Sequence, residues 1–345
     1  MTGENGGGPK DVIARESERA RELRELRECA NRVIENAFQS LREQFETPSE
    51  ELARAVIADM LIRDGDRVPD YLDANRGRDV LEIPKEDLES TRELLKMPFH
   101  NVAHSREVVQ RTEMILEAMV NGGVEISEED FQLGRMLAAG HDLVQKWTIK
   151  LRENGKRERV RFKGENEKDS ADALIEMMKT SGCRRMPEDV IRETLDATIP
   201  SGWDGKTVVQ AHLTPESHPV VRAVALADLG AAGLDPASFI RGGDQLFVEE
   251  NIDLLDLDLD QISEVDIEKY RARMLAWTKS QMGFAEGRRD RLEAELGNLP
   301  EAAKAELRKL FSHFDESIAK AKEHVERREA LSFEDLYEAM GFVSR

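Results

Sequence analysis

Residues 133–144 read LGRMLAAGHDLV, and this stretch decides how the chain folds. It is apolar on nearly every face until it ends in the pair His141-Asp142. A helix that is apolar all round is normally buried, so the pattern predicts a central helix that carries a polar pair into the interior. Burying an imidazole and a carboxylate without partners costs free energy, so other parts of the chain must supply groups that pair with them.

Two other stretches can supply those partners. Upstream, residues 99–104 read FHNVAH and contain His100 and His104. Downstream, residues 223–230 read AVALADLG, an apolar helix with Asp228 near its end. Helices of a bundle can bring such distant residues to one point, and imidazoles and carboxylates are common ligands of divalent cations. The four predicted metal ligands are His104, His141, Asp142 and Asp228.

The composition favours a helical protein with a large core. The chain has 345 residues, of which 40% are hydrophobic and only 5% aromatic, and its formal net charge is −20. A chain this acidic repels nucleic acid and anionic membranes unless its basic residues cluster. The first ten residues lack the apolar segment of a signal peptide, and no apolar run approaches the roughly 20 residues of a membrane span. We therefore expect a small molecule, rather than a membrane or a nucleic acid, as the partner.

The two cysteines indicate the cellular compartment. Cys29 and Cys183 are far apart in the sequence and lie in no CxxC spacing. We interpret them as unpaired, small, buried or half-buried side chains. Without a disulfide framework, the simplest prediction is a protein of the reducing cytoplasm.

The periodicity of the chain predicts an all-α fold with a small inserted β-hairpin. Alternating residues at 147–152 and 160–163 flank Asn154-Gly155, the strongest short-range hairpin signal. Helical spacing covers most of the remainder. The predicted regions are a disordered tail at 1–10, an N-terminal helical region at 11–95, a core at 96–235 with the hairpin at about 147–163, and a C-terminal helical region at 236–345 that packs on the core.

Several details follow from the same pattern. A helix is expected from His100 to Val120, which would place His100 and His104 on one face with Met114 turned inward. Residues 201–205 are expected to form a loop, and residues 230–260 show little periodicity. A single helix is expected to hold Leu307 and Phe314 and to continue to about residue 329.

The four predicted ligands resemble those of the HD superfamily of metal-dependent phosphohydrolases, in the order His, His-Asp and a distant Asp. The motif His100-Asn-x-x-His104 is similar to the opening of the cyclic nucleotide phosphodiesterases within that superfamily. Residues 166–171, NEKDSA, are similar to a stretch of a bacterial branch of predicted HD phosphohydrolases. The resemblance covers roughly residues 99–233 and implies an HD-type helical bundle for this part of the chain.

This resemblance also implies the roles of individual residues. His104 would be the first metal ligand, and His100 would donate a proton to the leaving oxygen. A second metal is doubtful, because no further His follows Asp142 closely. His212 and His218 are left open as additional ligands. One divalent cation is expected, which the ligand set allows to be manganese, iron, cobalt, nickel, zinc or magnesium.

Three other side chains are candidates for the site, each with an alternative. Lys146 and Lys150 begin a basic hairpin directly after the His-Asp pair, so we predict that they bind an anionic substrate. The alternative is a solvated hairpin whose charges discourage edge pairing. Glu167 is predicted to orient water or a ligand, or else to be a first-turn carboxylate favoured by the helix dipole.

Together these features predict a phosphohydrolase that cleaves a phosphate ester of a nucleotide or a similar small anion with metal-activated water. Two alternatives stay open. In the first, the protein is a non-catalytic nucleotide or metal sensor whose flanking helices bind partners or a second copy of the chain. In the second, it is a nucleic-acid phosphodiesterase that uses the basic hairpin. A steep salt dependence of binding would indicate this second alternative.

Overall fold

The computed structural model describes residues 9–54, 85–151, 157–203, 208–255 and 257–342. Thirteen α-helices and two small antiparallel strand pairs lie in these ranges, which confirms the predicted all-α fold with a small inserted hairpin. Most of the predicted tail, residues 1–8, and residues 55–84 of the predicted N-terminal helical region lie outside the described residues.

The helices of the first part are α1 (Pro9–Leu41), α2 (Lys85–Leu95), α3 (Val102–Asn121), α4 (Glu128–Gly140), α5 (Glu165–Thr180) and α6 (Glu188–Thr198). Those of the second part are α7 (Pro219–Asp228), α8 (Ala231–Leu234), α9 (Pro236–Glu250), α10 (Glu264–Leu296), α11 (Glu301–Leu310), α12 (Phe314–Glu329) and α13 (Phe333–Ala339). A π-helical turn follows α1 at Arg42–Glu46, and a 3₁₀ turn follows α9 at Ile252–Leu254.

The predicted hairpin is confirmed as β1 (Trp147–Leu151) paired with β2 (Arg157–Arg161). Its antiparallel register sets Trp147 opposite Arg161, and β2 packs against α9. The predicted loop is wrong at residues 201–203, because β3 (Ser201–Trp203) pairs with β4 (Val208–Val209), whereas residues 204–205 lie outside the described residues. Strands of two and three residues are too short to leave a readable alternation in the sequence.

The central helix α4 lies against α1, α3 and α7. Ser127 caps its N-terminus by accepting a hydrogen bond from the Asp130 backbone N–H, as the sequence indicates. Two glycines let its neighbours approach closely. A Cβ on Gly134 would lie 2.9 Å from Leu116 Cδ1 of α3, and one on Gly140 would lie 2.8 Å from Leu174 Cδ1 of α5. These contacts fix the end of α4, and with it the His-Asp pair, inside the bundle.

Most of the apolar core of the described residues lies in two clusters, and a third cluster holds only Ala197, Val221 and Ala225. The larger of the two main clusters joins α1 to the helices around α4, so the N-terminal helix belongs to the same core. The smaller of the two lies among α9, α10 and α13 and includes Phe247, Met274 and Tyr337. The helix α9 forms where little periodicity was visible. Part of its surface packs against β2 as well as against other helices, so no single apolar stripe marks it.

Two other predicted details are wrong. Met114 is 45% exposed rather than inward, because it lies on the solvent side of α3. The long helix expected through Leu307 and Phe314 is two helices, α11 and α12, separated at residues 311–313. At that break the His313 backbone N–H donates a hydrogen bond to the Gly233 carbonyl, which turns the chain back onto the core.

The prediction that the cysteines are unpaired is also wrong. Cys29 of α1 and Cys183, which follows α5, form a disulfide with Cα atoms 5.6 Å apart. The 154 residues between them conceal this proximity in the sequence, because packing of α1 against α5 brings them together. None of the described helices is both long enough and apolar enough to cross a membrane.

Candidate metal centre

The four predicted ligands lie at the ends of three helices that pack together. His104 lies in the first turn of α3, whose N-terminus Asn101 caps by accepting hydrogen bonds from two backbone N–H groups. His141 follows the last residue of α4, and Asp142 comes directly after it. Asp228 ends α7. Because α3, α4 and α7 contact one another, these ends meet at one point.

The distances between the ligand atoms are short. His104 Nε2 lies 3.3 Å from His141 Nε2 and 3.3 Å from Asp228 Oδ1, which is itself 3.5 Å from His141 Nε2. Asp142 Oδ2 lies 2.9 Å from His141 Nε2 and 3.5 Å from His104 Nε2. His104, His141 and Asp228 form a group that can hold a metal ion. We call these three residues and Asp142 the ligand cluster.

The protonation of His141 suits a metal ligand. Its Nδ1 lies 2.8 Å from the Ala138 carbonyl oxygen, which can only accept a hydrogen bond. Nδ1 therefore carries the proton, and in the neutral ring Nε2 directs its lone pair at the ligand cluster. A backbone partner of this kind commonly fixes the tautomer and orientation of a metal-binding imidazole.

The ligand cluster is a set of acceptors that face one another. The side chains of His104 and His141 are almost fully buried, and those of Asp142 and Asp228 are only 12% and 13% exposed. Carboxylate oxygens and imidazole lone pairs repel at these distances unless protons or a cation lie between them. Ligands about 2.1 Å from a cation are themselves roughly 3.0–3.4 Å apart, which is close to the spacing here. The residues present therefore fit a divalent cation.

Without a cation, the cluster can only be balanced by protons. Burial works against the charged forms, yet hydrogen bonds and charge attraction from Asp142 and Asp228 raise the pKa of both His104 and His141. Burial likewise works to raise the pKa of the two carboxyl groups, but the imidazoles hold the pKa of each well below its usual range. The metal-free cluster thus attracts positive charge, and two carboxylates match the charge of one divalent cation.

A short loop after α4 supports the cluster. Gln145 Nε2 donates a hydrogen bond of 2.7 Å to Asp142 Oδ1 and thereby orients that carboxylate. Ser170 Oγ accepts from the Val144 backbone N–H, and Asn166 exchanges two hydrogen bonds with the backbone of Lys146. Asn166 and Ser170 therefore hold the loop in place. The sequence reasoning missed Gln145, since an amide next to a predicted ligand has no distinctive spacing.

His100 occupies a different position from the one expected. It precedes α3, which begins at Val102, so the expectation that His100 and His104 share a helix face is wrong. Asn101 starts the helix instead, because its side chain satisfies two of the free N–H groups. The His100 ring still lies beside the cluster, with its centroid 6.0 Å from that of His104.

His100 connects two charged residues that the sequence reasoning did not assign to the site. Its Nδ1 lies 2.5 Å from Glu249 Oε1 of α9, and its Nε2 lies 2.7 Å from Arg161 Nη1 of β2. A guanidinium has only donors, so Nε2 is the acceptor and Nδ1 donates to Glu249. The separation of 149 positions between His100 and Glu249 leaves no sequence signal for this pair. The alternation of β2 does place Arg161 on the same face as Arg159.

Glu249 is held as a carboxylate by several neighbours. Its Oε2 accepts hydrogen bonds from the backbone N–H groups of Phe99 and His100. Burial works to raise its pKa, but His100 and the guanidinium charges of Arg159 and Arg161 lower it to about 2. A charged carboxylate therefore stands behind His100 at neutral pH.

Two of the remaining candidates, Lys146 and Glu167, have described partners outside the ligand cluster. The exposed Lys146 Nζ lies 2.5 Å from Asp169 Oδ2. Lys150 pairs with Glu158 in the hairpin, and its side chain lies outside the described part of the structure. Glu167 accepts a hydrogen bond from the Gly164 backbone N–H and so caps α5, as its alternative interpretation predicts.

The two other histidines left open are not ligands of this cluster. His212 is exposed, and no ligand atom of the cluster is among its described contacts. His218 accepts a hydrogen bond from the Val220 backbone N–H at the N-terminus of α7, whereas Asp228 ends the same helix. Ten helical residues span roughly 15 Å, so His218 is far from Asp228.

Comparison of the chain with models of protein families, with curated proteins and with solved structures finds no match. The evidence for a metal centre is therefore the arrangement of the chain's own residues. The likeness to the HD superfamily stays a prediction that rests on the order and spacing of a few side chains.

Proposed function

We propose that the chain is a metal-dependent phosphohydrolase of the HD superfamily, which cleaves a phosphate ester of a nucleotide or a similar small anion. The observation that carries this proposal is the meeting of His104, His141 and Asp228 from three separate helices, buried and within 3.5 Å of one another. Asp142 is the fourth ligand in this proposal, since its Oδ2 lies 2.9 Å from His141 Nε2.

A divalent cation bound there lowers the pKa of a water molecule and neutralises charge that builds up on phosphoryl oxygens. The chain's own residues prepare the site for it. Ala138 fixes the tautomer of His141, and Gln145 fixes the orientation of Asp142. Imidazole and carboxylate donors accept manganese, iron, cobalt, nickel, zinc or magnesium, so the donor set leaves the metal open among these.

His100 is the proposed proton donor to the leaving oxygen. Glu249 occupies its Nδ1, so Nε2 is the ring atom left to exchange a proton with the substrate. Glu249 also stabilises the imidazolium that forms when Nε2 is protonated. In the arrangement described here Nε2 accepts from Arg161, so proton donation requires Arg161 to turn to another partner.

The test begins with elemental analysis of the purified protein. The protein is then stripped with a chelator and screened against phosphomonoesters and phosphodiesters with each metal added back. We expect about one bound divalent cation per chain and turnover of at least one ester that disappears on stripping and returns with the metal.

A matched pair of histidine variants locates the activity. His141→Ala should lose both the metal and turnover, because it removes a buried ligand. His212→Ala removes an exposed imidazole outside the cluster and should keep both. Full metal content and full turnover in His141→Ala would contradict the proposal. Metal binding in the wild type without turnover of any ester would instead favour the sensor.

A further inference from the structure

Two arginines of the hairpin have buried nitrogen atoms that lack hydrogen-bond partners. Arg159 and Arg161 are two residues apart on β2, so their side chains leave the same face of the strand. That strand packs against α9, the helix that carries Glu249. Both guanidinium groups are therefore brought to the side of the hairpin on which His100 and the ligand cluster lie.

Arg159 is only 5% exposed. It donates one hydrogen bond from Nη2 to the Leu94 carbonyl, and its guanidinium lies 4.6 Å from the centre of the Trp147 ring. Its Nε and Nη1 are buried and have no hydrogen-bond partner among the described residues. Burial lowers the pKa of Arg159 to about 10, so the group stays charged at neutral pH.

Arg161 is in a similar position. Its Nη1 donates to His100 Nε2, while its Nε is buried and has no partner in the part of the chain that the structure describes. The hydrogen bonds described for the two arginines go to a carbonyl and to an imidazole, and none goes to a carboxylate. The fork of a guanidinium matches the two oxygens of a carboxylate or phosphate, so a neutral imidazole is a poor substitute. Glu249 lies near enough for both guanidinium charges to lower its pKa, but its described hydrogen bonds go to His100 and to the backbone N–H groups of Phe99 and His100. Among the described residues, no carboxylate therefore accepts a hydrogen bond from either arginine.

We propose that Arg161, with Arg159 beside it, binds an oxygen of the phosphoryl group of the substrate. The inference rests on the proposed function, since it places this group next to the metal. Arg161 contacts His100, and the His100 ring lies beside His104 of the ligand cluster. When Arg161 turns to the phosphoryl oxygen, it releases His100 Nε2 for proton exchange with the leaving group. This assigns to Arg161 the role that the sequence suggested for Lys146 and Lys150.

The test measures anion affinity rather than activity. Inorganic phosphate is titrated by calorimetry into the metal-loaded wild type and into variants whose metal content and circular dichroism have been checked. Loss of a charge-assisted hydrogen bond in Arg161→Gln should weaken phosphate binding about 10- to 100-fold. Arg161→Lys should lose less, because lysine retains the charge but not the fork. Lys163→Gln removes an exposed charge two residues away and should change the affinity by no more than about twofold.

A fourth variant separates direct binding from an effect through His100. His100→Ala should retain most of the phosphate affinity if Arg161 contacts the anion itself, whereas equal losses in both variants would make Arg161 only a positioning residue for His100. Unchanged affinity in Arg161→Gln, or no phosphate binding by the wild type, would overturn the proposal. If Arg161→Gln does not fold, unchanged affinity in Arg161→Lys overturns it.

Failure of this assignment can be distinguished from failure of the proposed function. Turnover of an ester together with unaltered phosphate binding in the Arg161 variants would leave the hydrolase in place and remove only this assignment. Phosphate binding that depends on Arg161, without turnover of any ester, would retain the anion site and remove the hydrolase.

Discussion

Two buried charged regions of the molecule differ in how their groups are satisfied. In the C-terminal helices, Arg328 is 1% exposed and donates to both carboxylate oxygens of Asp244 at 2.8 Å. It also donates to Thr278 Oγ1 and to the Ala339 carbonyl, which ties α9, α10, α12 and α13 together. The charges cancel, and both terminal nitrogens of the guanidinium face acceptors, although its Nε has no partner among the described residues.

In the ligand cluster, acceptors face acceptors. The oxygen atoms of Asp142 and Asp228 approach two imidazole nitrogens, and one of those imidazoles already uses its proton on a backbone carbonyl. Burial alone therefore does not distinguish a structural ion pair from a binding site. The balance of donors and acceptors does, because only the unbalanced cluster needs a cation from outside.

The largest expected effect removes a ligand. Asp142→Ala should abolish metal binding and lower turnover at least about 1000-fold, roughly 4 kcal/mol, because the cluster loses a carboxylate. Elemental analysis and kcat measure the two losses. Asp172→Ala, which removes an exposed carboxylate of α5, is the matched control. Full metal content in Asp142→Ala would show that Asp142 is not a ligand.

Breaking the balanced region should cost stability and leave the metal in place. Arg328→Met leaves Asp244 in a largely buried position without its partner and should lower the free energy of unfolding by about 3–5 kcal/mol. Urea denaturation measures this loss. Lys322→Ala on the exposed side of α12 should change it by no more than about 0.5 kcal/mol. Loss of metal from a folded Arg328→Met would mean that the two regions are not independent.

A third buried charge, the carboxylate of Glu249, should make the stability of the protein depend on pH. The pKa of Glu249 falls from its ordinary 4.5 to about 2 on folding, so its contribution to stability is present above 4.5 and is lost as the pH falls toward 2. Between pH 6 and pH 3 this amounts to about 2 kcal/mol. Between pH 6 and pH 3, the free energy of unfolding of the chelator-stripped wild type should therefore fall by about 2 kcal/mol more than the free energy of unfolding of Glu249→Gln. Parallel pH profiles would show that folding leaves the pKa of Glu249 unchanged.

The smallest expected effect concerns Lys146, an exposed residue that directly precedes β1 of the hairpin. Lys146→Ala should change KM by no more than about twofold at any ionic strength, because its Nζ is 53% exposed and already paired with Asp169. Steady-state kinetics at low and high salt measure this. A rise in KM of tenfold or more at low salt would return Lys146 to the substrate site.

Much of the fold could be predicted because it depends on local chemistry. The apolar helix α4, its Ser127 cap, the antiparallel pair β1 and β2 and the helix that ends at Asp228 each follow from residues close together in the chain. The four ligands could be named for the same reason, since a polar side chain at the end of an apolar helix stands out. The sequence could not establish that these four side chains meet at one point, because helix packing decides this.

The tertiary structure alone decided which distant groups complete the site. Glu249 reaches His100 across 149 residues, Arg161 reaches it from β2, and Cys29 pairs with Cys183 across 154 residues. Sequence patterns report periods of two and of 3.6 residues, which identify the buried face of an element but not the element that covers it. The sequence by itself therefore determined the helices and the ligand types. Only packing decided that His100 lies between a carboxylate and a guanidinium, because that contact is made by side chains from three separate elements.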